Sequence, residues 1–324
     1  MNRRNFASFT NALPDSCKKP DGSYHTYKCG HNGNVLARMC PTTEIWRNKV
    51  AENTVRLFDE LNVDGVYLDQ VSCSLPQPCH DVKHGHRLGG GDFWTHGCRK
   101  LMKPICEDAA KRGGALTSEA AAEPYMDSFD AFLTWFGHSP EDVPLLPAVY
   151  SGHALYFGSS QSKADSLDSF CALQARAFLW GCQLGWNGTL LMDKGKEGYA
   201  EFTHKLCRAR LDNLDYLLYG ELIGEIKPLD KTPEVEVEWH RDNAGKFKTP
   251  AVIGTVWRND KGEIRAFAVN ISGEWQKIRF QPFGDATLCT ATLPPRSVKA
   301  IPVRQAPSSP AKASAAVHLL RINP

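Results

Sequence analysis

The feature that most constrains the fold is a pair of short apolar runs that each stop at a carboxylate. They are Val63-Asp64-Gly65-Val66-Tyr67-Leu68-Asp69-Gln70 and Gly114-Ala115-Leu116-Thr117-Ser118-Glu119. A strand-length apolar run ending abruptly in an acid is how a buried parallel strand delivers a side chain to the rim of an α/β barrel. The segment between the two is long enough for the returning helix that parallel neighbours need. Two such ends set two carboxyl groups across one cleft, the minimum equipment for hydrolysing a glycosidic bond.

The rest of the chain extends this pattern. Residues Asn34 to Pro41 predict a strand stopped by proline. Thr43 then caps a helix in which Trp46, Val50, Leu57, Phe58 and Leu61 recur at helical spacing. A second helix is expected around Trp94 to Lys111, closed by Gly113-Gly114. Further strands are expected at Phe129 to Trp135, at Val143 to Tyr150 and at Gly181 to Trp186, with a helix over Ser166 to Leu179. Alternating strand and helix imply a parallel sheet. Six candidate strands (near 35, 66, 116, 132, 148 and 183) fall short of the eight that a closed (β/α)8 TIM-type barrel needs.

After a helix from Tyr199 to Leu218 the texture changes to short strands at 235–239, 251–257, 264–270 and 276–280, with a hairpin turn at Asn259-Asp260-Lys261-Gly262. The expected organisation is a loop segment over 1–33, a partial barrel over 34–222, a small antiparallel β-sandwich over 223–305 and a disordered tail over 306–324. A barrel lacking its first strands suggests a chain that begins inside a longer gene product. As it stands the sequence reads as cytoplasmic, because Met1 to Ala7 is basic without an apolar core; an upstream start would allow export.

Composition excludes several classes. Net charge is +2 and the basic residues form no stripe, which argues against a nucleic-acid partner. No apolar run reaches the roughly 18 to 20 residues that span a bilayer, so no membrane partner is expected. There is no phosphate-binding P-loop, no Gly-x-Gly-x-x-Gly after a strand and no Gly-x-Ser-x-Gly elbow. Eleven cysteines lack the regular spacing of a disulfide scaffold, although Cys73 and Cys79 could pair across their loop.

Among candidate site residues, Asp69 suits a nucleophile that attacks the anomeric carbon, against the plainer reading of a turn or cap residue. Glu119 suits the general acid/base, which must hold a proton at rest, against a plain capping role. Glu123 and Asp130 are rival acids. In the loop Cys79 to Gly91, His80, His84 and His86 stand beside Asp81, a spacing that could bind zinc. No further His or Cys cluster completes the set, so no metal or organic cofactor is expected. His84 and His86 are instead expected to hydrogen-bond sugar hydroxyls, with three glycines allowing close backbone approach. Arg38, Asp130 and the aromatic residues Trp94, Tyr125, Trp135, Tyr150 and Trp186 near strand ends are expected to contact substrate, the rings by stacking on a pyranose. Two rival readings are a metal-dependent hydrolase built on His80, His84, His86 and Asp69, and a non-catalytic glycan-binding remnant.

Gly65 to Gln70, the His84-Gly85-His86 loop with Gly89-Gly90-Gly91, Leu116 to Glu119 and Val143 to Tyr150 together resemble a group of bacterial proteins catalogued as a domain of unknown function and related to barrel glycoside hydrolases. The resemblance runs from about Arg38 to Leu222. The order of Asp after one strand and Glu after the next is similar to the α-amylase superfamily and to endo-α-N-acetylgalactosaminidases. It implies Asp69 as nucleophile and Glu119 as acid/base of a retaining enzyme on α-linked sugars, with a carbohydrate as partner. The α-galactosidase-like barrels would instead make Asp130 the acid/base.

Overall fold

A computed structural model of the chain describes residues 11–28, 35–134, 142–158, 165–185, 187–239, 245–284 and 286–304. The expected tail lies outside them.

The first described segment is more structured than its polar sequence suggested. A 3-10 turn at Leu13–Asp15 precedes β1 (Thr26–Lys28), which pairs antiparallel with β2 (Val35–Ala37). The expected strand near 35 therefore exists but does not join a parallel sheet. A three-residue strand such as Thr-Tyr-Lys is too short to show a period of two, which is why its partner went unseen. Buried Ser16 and Cys17 anchor the segment, with Cys17 N–H donating to the Arg38 carbonyl.

Helix α1 (Glu44–Leu61) follows. Thr43 occupies its N-cap but does not cap it, because its hydroxyl donates backwards to the Cys40 carbonyl at 2.8 Å. Asn62, in the left-handed region at φ 49°, ends the helix and turns the chain into β3 (Gly65–Leu68). Helix α2 (Phe93–Arg112) returns the chain to β4 (Ala115–Glu119), with Gly113 at φ 67° as the expected stop. A side chain at Gly65 would be tight, since a Cβ would stand 3.0 Å from the Ala115 carbonyl of the neighbouring strand.

β5 (Ala131–Leu133) and β6 (Leu155–Phe157) complete a four-stranded parallel sheet in the order β3-β4-β5-β6. The strand expected over 143–150 is instead the short helix α3 (Leu145–Val149). Its prolines, Pro144 and Pro147, sit at the N-cap and in the first turn, where no amide donor is needed. The last expected parallel strand is reduced to one bridge, Phe157 to Gln183. It follows α4 (Leu167–Leu179), which is capped by Ser166 through a bond from the Ser169 amide. The helix expected over 199–218 breaks into α5 (Glu197–Leu211) and α6 (Leu214–Leu217).

The antiparallel part begins with β7 (Glu221–Glu225) and the hairpin β8 (Glu234–Trp239) with β9 (Gly245–Pro250). β10 (Val252–Arg258), β11 (Ile264–Asn270), β12 (Gln276–Phe280), β13 (Cys289–Leu293) and β14 (Ser297–Val303) follow. One sheet runs β14-β11-β10-β7, and β12 with β13 forms another. Val252, Val256, Ala266 and Ala268 pack against Ile278, Phe280, Ala291 and Leu293 between them. The opposite face of β10 and β11 belongs to the main core, with Trp257 and Phe267 against Phe178 and Leu179 of α4.

α4 is fastened to the antiparallel part at both ends. Near its N-terminus Asp168 pairs with Arg296 at 2.7 Å, and the Ser169 hydroxyl accepts from the Glu238 amide. At its C-terminus the Leu179 carbonyl accepts from Thr255 Oγ1 at 2.9 Å and from Trp257 Nε1 at 3.1 Å.

Candidate active site

β3 and β4 are parallel and in register, with Leu68 opposite Ser118. Asp69 and Glu119 therefore stand at one level on neighbouring strands, about 4.8 Å apart in backbone. Alternation puts Tyr67, Asp69, Thr117 and Glu119 on one face, since Val66, Leu68, Leu116 and Ser118 are the buried set. Both carboxylates are thus presented side by side on the more open face. The residue after each is held in the left-handed region, Gln70 at φ 60° and Ala120 at φ 52°, although neither is glycine. Such matched strain at two adjacent strand ends is a mark of a site where backbone geometry is over-determined.

A hydrogen-bonded clamp holds the two ends together. The fully buried Ser118 hydroxyl donates to the Leu68 carbonyl at 2.7 Å and accepts from the Ser72 amide at 3.2 Å. Ser72 Oγ in turn donates to the carbonyls of Glu119 and Ala120. The Ala120 amide donates to the Leu133 carbonyl, which ties β5 to the same rim.

Two side chains sense both acids at once. Burial, followed by the charges of Asp69 and Glu119, pushes the Tyr67 phenol well above its usual range. Cys73 donates to Glu119 Oε2 at 3.4 Å; burial, this bond and the charges of Glu119 and Asp69 push its thiol up to about 12. Tyr67 and Cys73 did not stand out in the sequence. The alternation of β3 could have found Tyr67, since it falls two residues before Asp69.

Asp69 lines a cavity of about 200 Å3 together with Arg38, Gln70, Trp46, Trp94 and Tyr27. The Arg38 guanidinium lies over the Tyr27 ring at 4.6 Å. Trp94 is buried, and its indole N–H has no partner among the described residues. A larger cleft of about 360 Å3 lies between α4 and the antiparallel strands, lined by Arg176, Trp180, Phe247 and Thr249. It holds neither carboxylate; the smaller cavity is lined by Asp69 but not by Glu119.

Other expected contacts fall elsewhere. Asp130 precedes β5 at its opposite end, where it accepts from the Leu116 amide at 2.8 Å. Glu119 is three residues further along β4, about 10 Å along the strand direction. Tyr125 is buried against α2 and presents no ring to a ligand. The Tyr150 hydroxyl donates to Glu123 Oε1 at 2.9 Å. Trp135 and Trp186 lie outside the described residues.

His84 and His86 do not face the carboxylates. Their ring nitrogens and the thiols of Cys40 and Cys79 all lie within 4.8 Å of one another. Neither His80 nor Asp69 belongs to this group. The sequence reading found no donors to complete the histidines because Cys40 is remote along the chain. Cys73 and Cys79 are both free thiols, and no disulfide joins them.

Comparison with known proteins bears on the whole assembly. The chain is 33% identical over 276 residues to a curated Bacteroides thetaiotaomicron protein named "Putative glycoside hydrolase", covering 83% of this chain and 40% of that protein. It thus spans well under half the length of that relative. Among solved structures it is similar to a maltogenic α-amylase, AmyB from Thermotoga neapolitana, with a TM-score of 0.52 and 13% identity, over 92% of this chain and 74% of the other. It is similar also to the α-N-acetylgalactosaminidase NagBb from Bifidobacterium bifidum, with a TM-score of 0.50 and 16% identity, over 82% and 38%. Likeness at such identities speaks for fold alone. Residues 3–161 match the model of one family, described as a domain of unknown function, DUF6259.

Proposed function

We propose that this chain carries the catalytic rim of a retaining glycoside hydrolase acting on α-linked sugars, with Asp69 as nucleophile and Glu119 as general acid/base. On this reading β3 to β6 are an arc of a (β/α)8 barrel spanning 34–222, and residues 223–305 are its accompanying β-sandwich. The observation that carries it is the in-register pair of carboxylates on one face of adjacent parallel strands. Strand spacing of about 4.8 Å suits the 5–5.5 Å carboxyl separation of retaining enzymes better than the 6.5–9.5 Å of inverting ones. The name of the Bacteroides relative and the fold of the two solved enzymes support the same class.

In the first step Asp69 attacks the anomeric carbon while Glu119 gives its proton to the departing glycosidic oxygen. The C–O bond breaks and a glycosyl ester on Asp69 forms. In the second step Glu119, now a carboxylate, takes a proton from water as that water attacks the ester and releases Asp69. Tyr67, two residues before Asp69 on the same face, stands within reach of both acids. Cys73 donates to Glu119 Oε2 and steadies that carboxyl. Arg38 and Trp94, on the wall beside Asp69, supply donors for sugar hydroxyls.

The test is a pair of variants on a panel of aryl α-glycosides. Asp69→Ala should abolish turnover, and azide should restore it by attacking from the vacated face. Glu119→Gln should cut turnover of poor leaving groups by about 10²- to 10⁴-fold. It should cost less with an activated phenol, which leaves without a proton. Wild-type rates in either variant would overturn the assignment. Asp130→Asn should leave the rate unchanged.

A further inference from the structure

We propose that Cys40, Cys79, His84 and His86 form a structural zinc site that pins the chain entry and the loop after β3 behind the wall of the Asp69 cavity. The inference goes beyond the hydrolase reading and does not depend on it.

The donor set is built, not incidental. Cys40 and Cys79 are fully buried, and they come from segments far apart in sequence. Cys40 Sγ lies 3.5 Å from His86 Nε2, and Cys79 Sγ lies 3.3 Å from His84 Nδ1. Tetrahedral zinc with sulfur at about 2.3 Å and nitrogen at about 2.0–2.1 Å requires ligand–ligand edges of roughly 3.3–3.8 Å. Both separations fall in that interval. Two thiolates and two neutral imidazoles also cancel the dication, which removes the cost of burying a charged centre.

The outer contacts favour the same assignment. His84 Nε2 is 2.9 Å from the Pro14 carbonyl, and His86 Nδ1 is 2.8 Å from the Arg87 carbonyl. A carbonyl only accepts, so each of these nitrogens carries the proton and the other nitrogen turns a lone pair toward the thiols. This is the arrangement that orients metal-bound histidines. Thr42 Oγ1 lies 3.1 Å from Cys40 Sγ, and Phe93 stacks on His86 at 4.0 Å. Gly85, at φ 68°, makes the turn that lets residues two apart point at one centre. Cys17, also fully buried, is not one of the four donors that lie within 4.8 Å of one another.

The position gives the site its role. Arg38, Met39, Pro41 and Trp94 line the cavity beside Asp69, while Cys40 and Phe93, their chain neighbours, face the cluster. A metal here locks the wall from behind and closes the long loop between β3 and α2.

The experiment is metal analysis of the full chain purified without chelator, together with cobalt exchange. Bound zinc near one equivalent per chain is expected. Cobalt should give the visible bands of a tetrahedral ion with thiolate charge transfer in the near ultraviolet. Cys79→Ser and His84→Ala should each lose the metal, while His80→Ala keeps it. Removing zinc should lower Tm by at least about 5 °C. Wild-type protein that binds neither zinc nor cobalt would overturn the proposal, whatever the variants do. So would a cobalt spectrum unchanged in both ligand variants. Cys17→Ser losing the charge transfer while His86→Ala keeps it would overturn the four-residue set. If zinc-free protein keeps its Tm but loses turnover, the structural role is wrong.

Discussion

Ser118→Ala separates a clamp from a mere buried hydroxyl. The side chain is fully buried and bridges β3 to β4, donating to Leu68 and accepting from Ser72. Its removal deletes two hydrogen bonds of about 1 kcal/mol each and leaves the Ser72 amide without that acceptor in a buried place, a further 1–3 kcal/mol or so. The expected loss is about 3–5 kcal/mol, read as a lower urea midpoint at unchanged m-value. Leu68 adjoins Asp69, so a looser seam lets the two carboxylates drift apart. Misplacement by about 1 Å can cost around 10²-fold in rate. We therefore expect kcat on an aryl glycoside to fall about 10- to 100-fold with little change in KM. Thr203→Ala, which removes a buried hydroxyl bonded within α5 to the Tyr199 carbonyl, is the control and should leave kcat intact. Full kcat in a destabilised Ser118→Ala protein would refute the positional argument. Unchanged stability would refute the clamp itself.

Other consequences are equally accessible. With its thiol pushed up to about 12, Cys73 should alkylate roughly a thousandfold more slowly than a free cysteine at pH 8.5, and a ligand bound at the carboxylates should slow it further; fast labelling by iodoacetamide would contradict its placement. Burial pushes Cys171 and Cys182 up to about 12 from an ordinary 9.0. The unfolded chain loses these protons first, so stability holds below pH 9 and falls above it, by about 1.4 kcal/mol per thiol at pH 10. Urea titrations of the wild type and a Cys171→Ala/Cys182→Ala variant at pH 8 and 10 would measure that slope. Gly181→Ala should destabilise by about 1–3 kcal/mol, because its φ is 78° and a Cβ would stand 2.7 Å from the Leu217 carbonyl and 2.8 Å from the Trp257 ring; a neutral result by calorimetry would mean that this junction relaxes freely.

What could be read from the chain was local. The runs ending at Asp69 and Glu119 announced strands because each is a short apolar stretch closed by an acid, although only alternate residues of each are buried. The closing glycine of α2 and the turn before Gly262 rest on backbone conformations that few residues adopt. What could not be read depended on partners remote in sequence. Val143 to Tyr150 is as apolar as a strand, yet its prolines suit a helix start. β1, β6, β7, β9, β13 and β14 gave too little local pattern to be expected. His84 and His86 looked like sugar contacts because nothing nearby in the chain revealed that Cys40 would arrive beside them.

The fastening of α4 at both ends has a consequence for how such a molecule can vary. One end of the helix leads into the parallel sheet through Gln183, and its body is the floor on which β10 and β11 lie. Grafting a foreign C-terminal half onto residues 34–222 would leave the Leu179 carbonyl without Thr255 and Trp257 and strip the greasy side of the helix. The two halves must be inherited as a matched set, and natural variation should accumulate on the outer pair, β12 and β13, which touch that helix nowhere in the shared core.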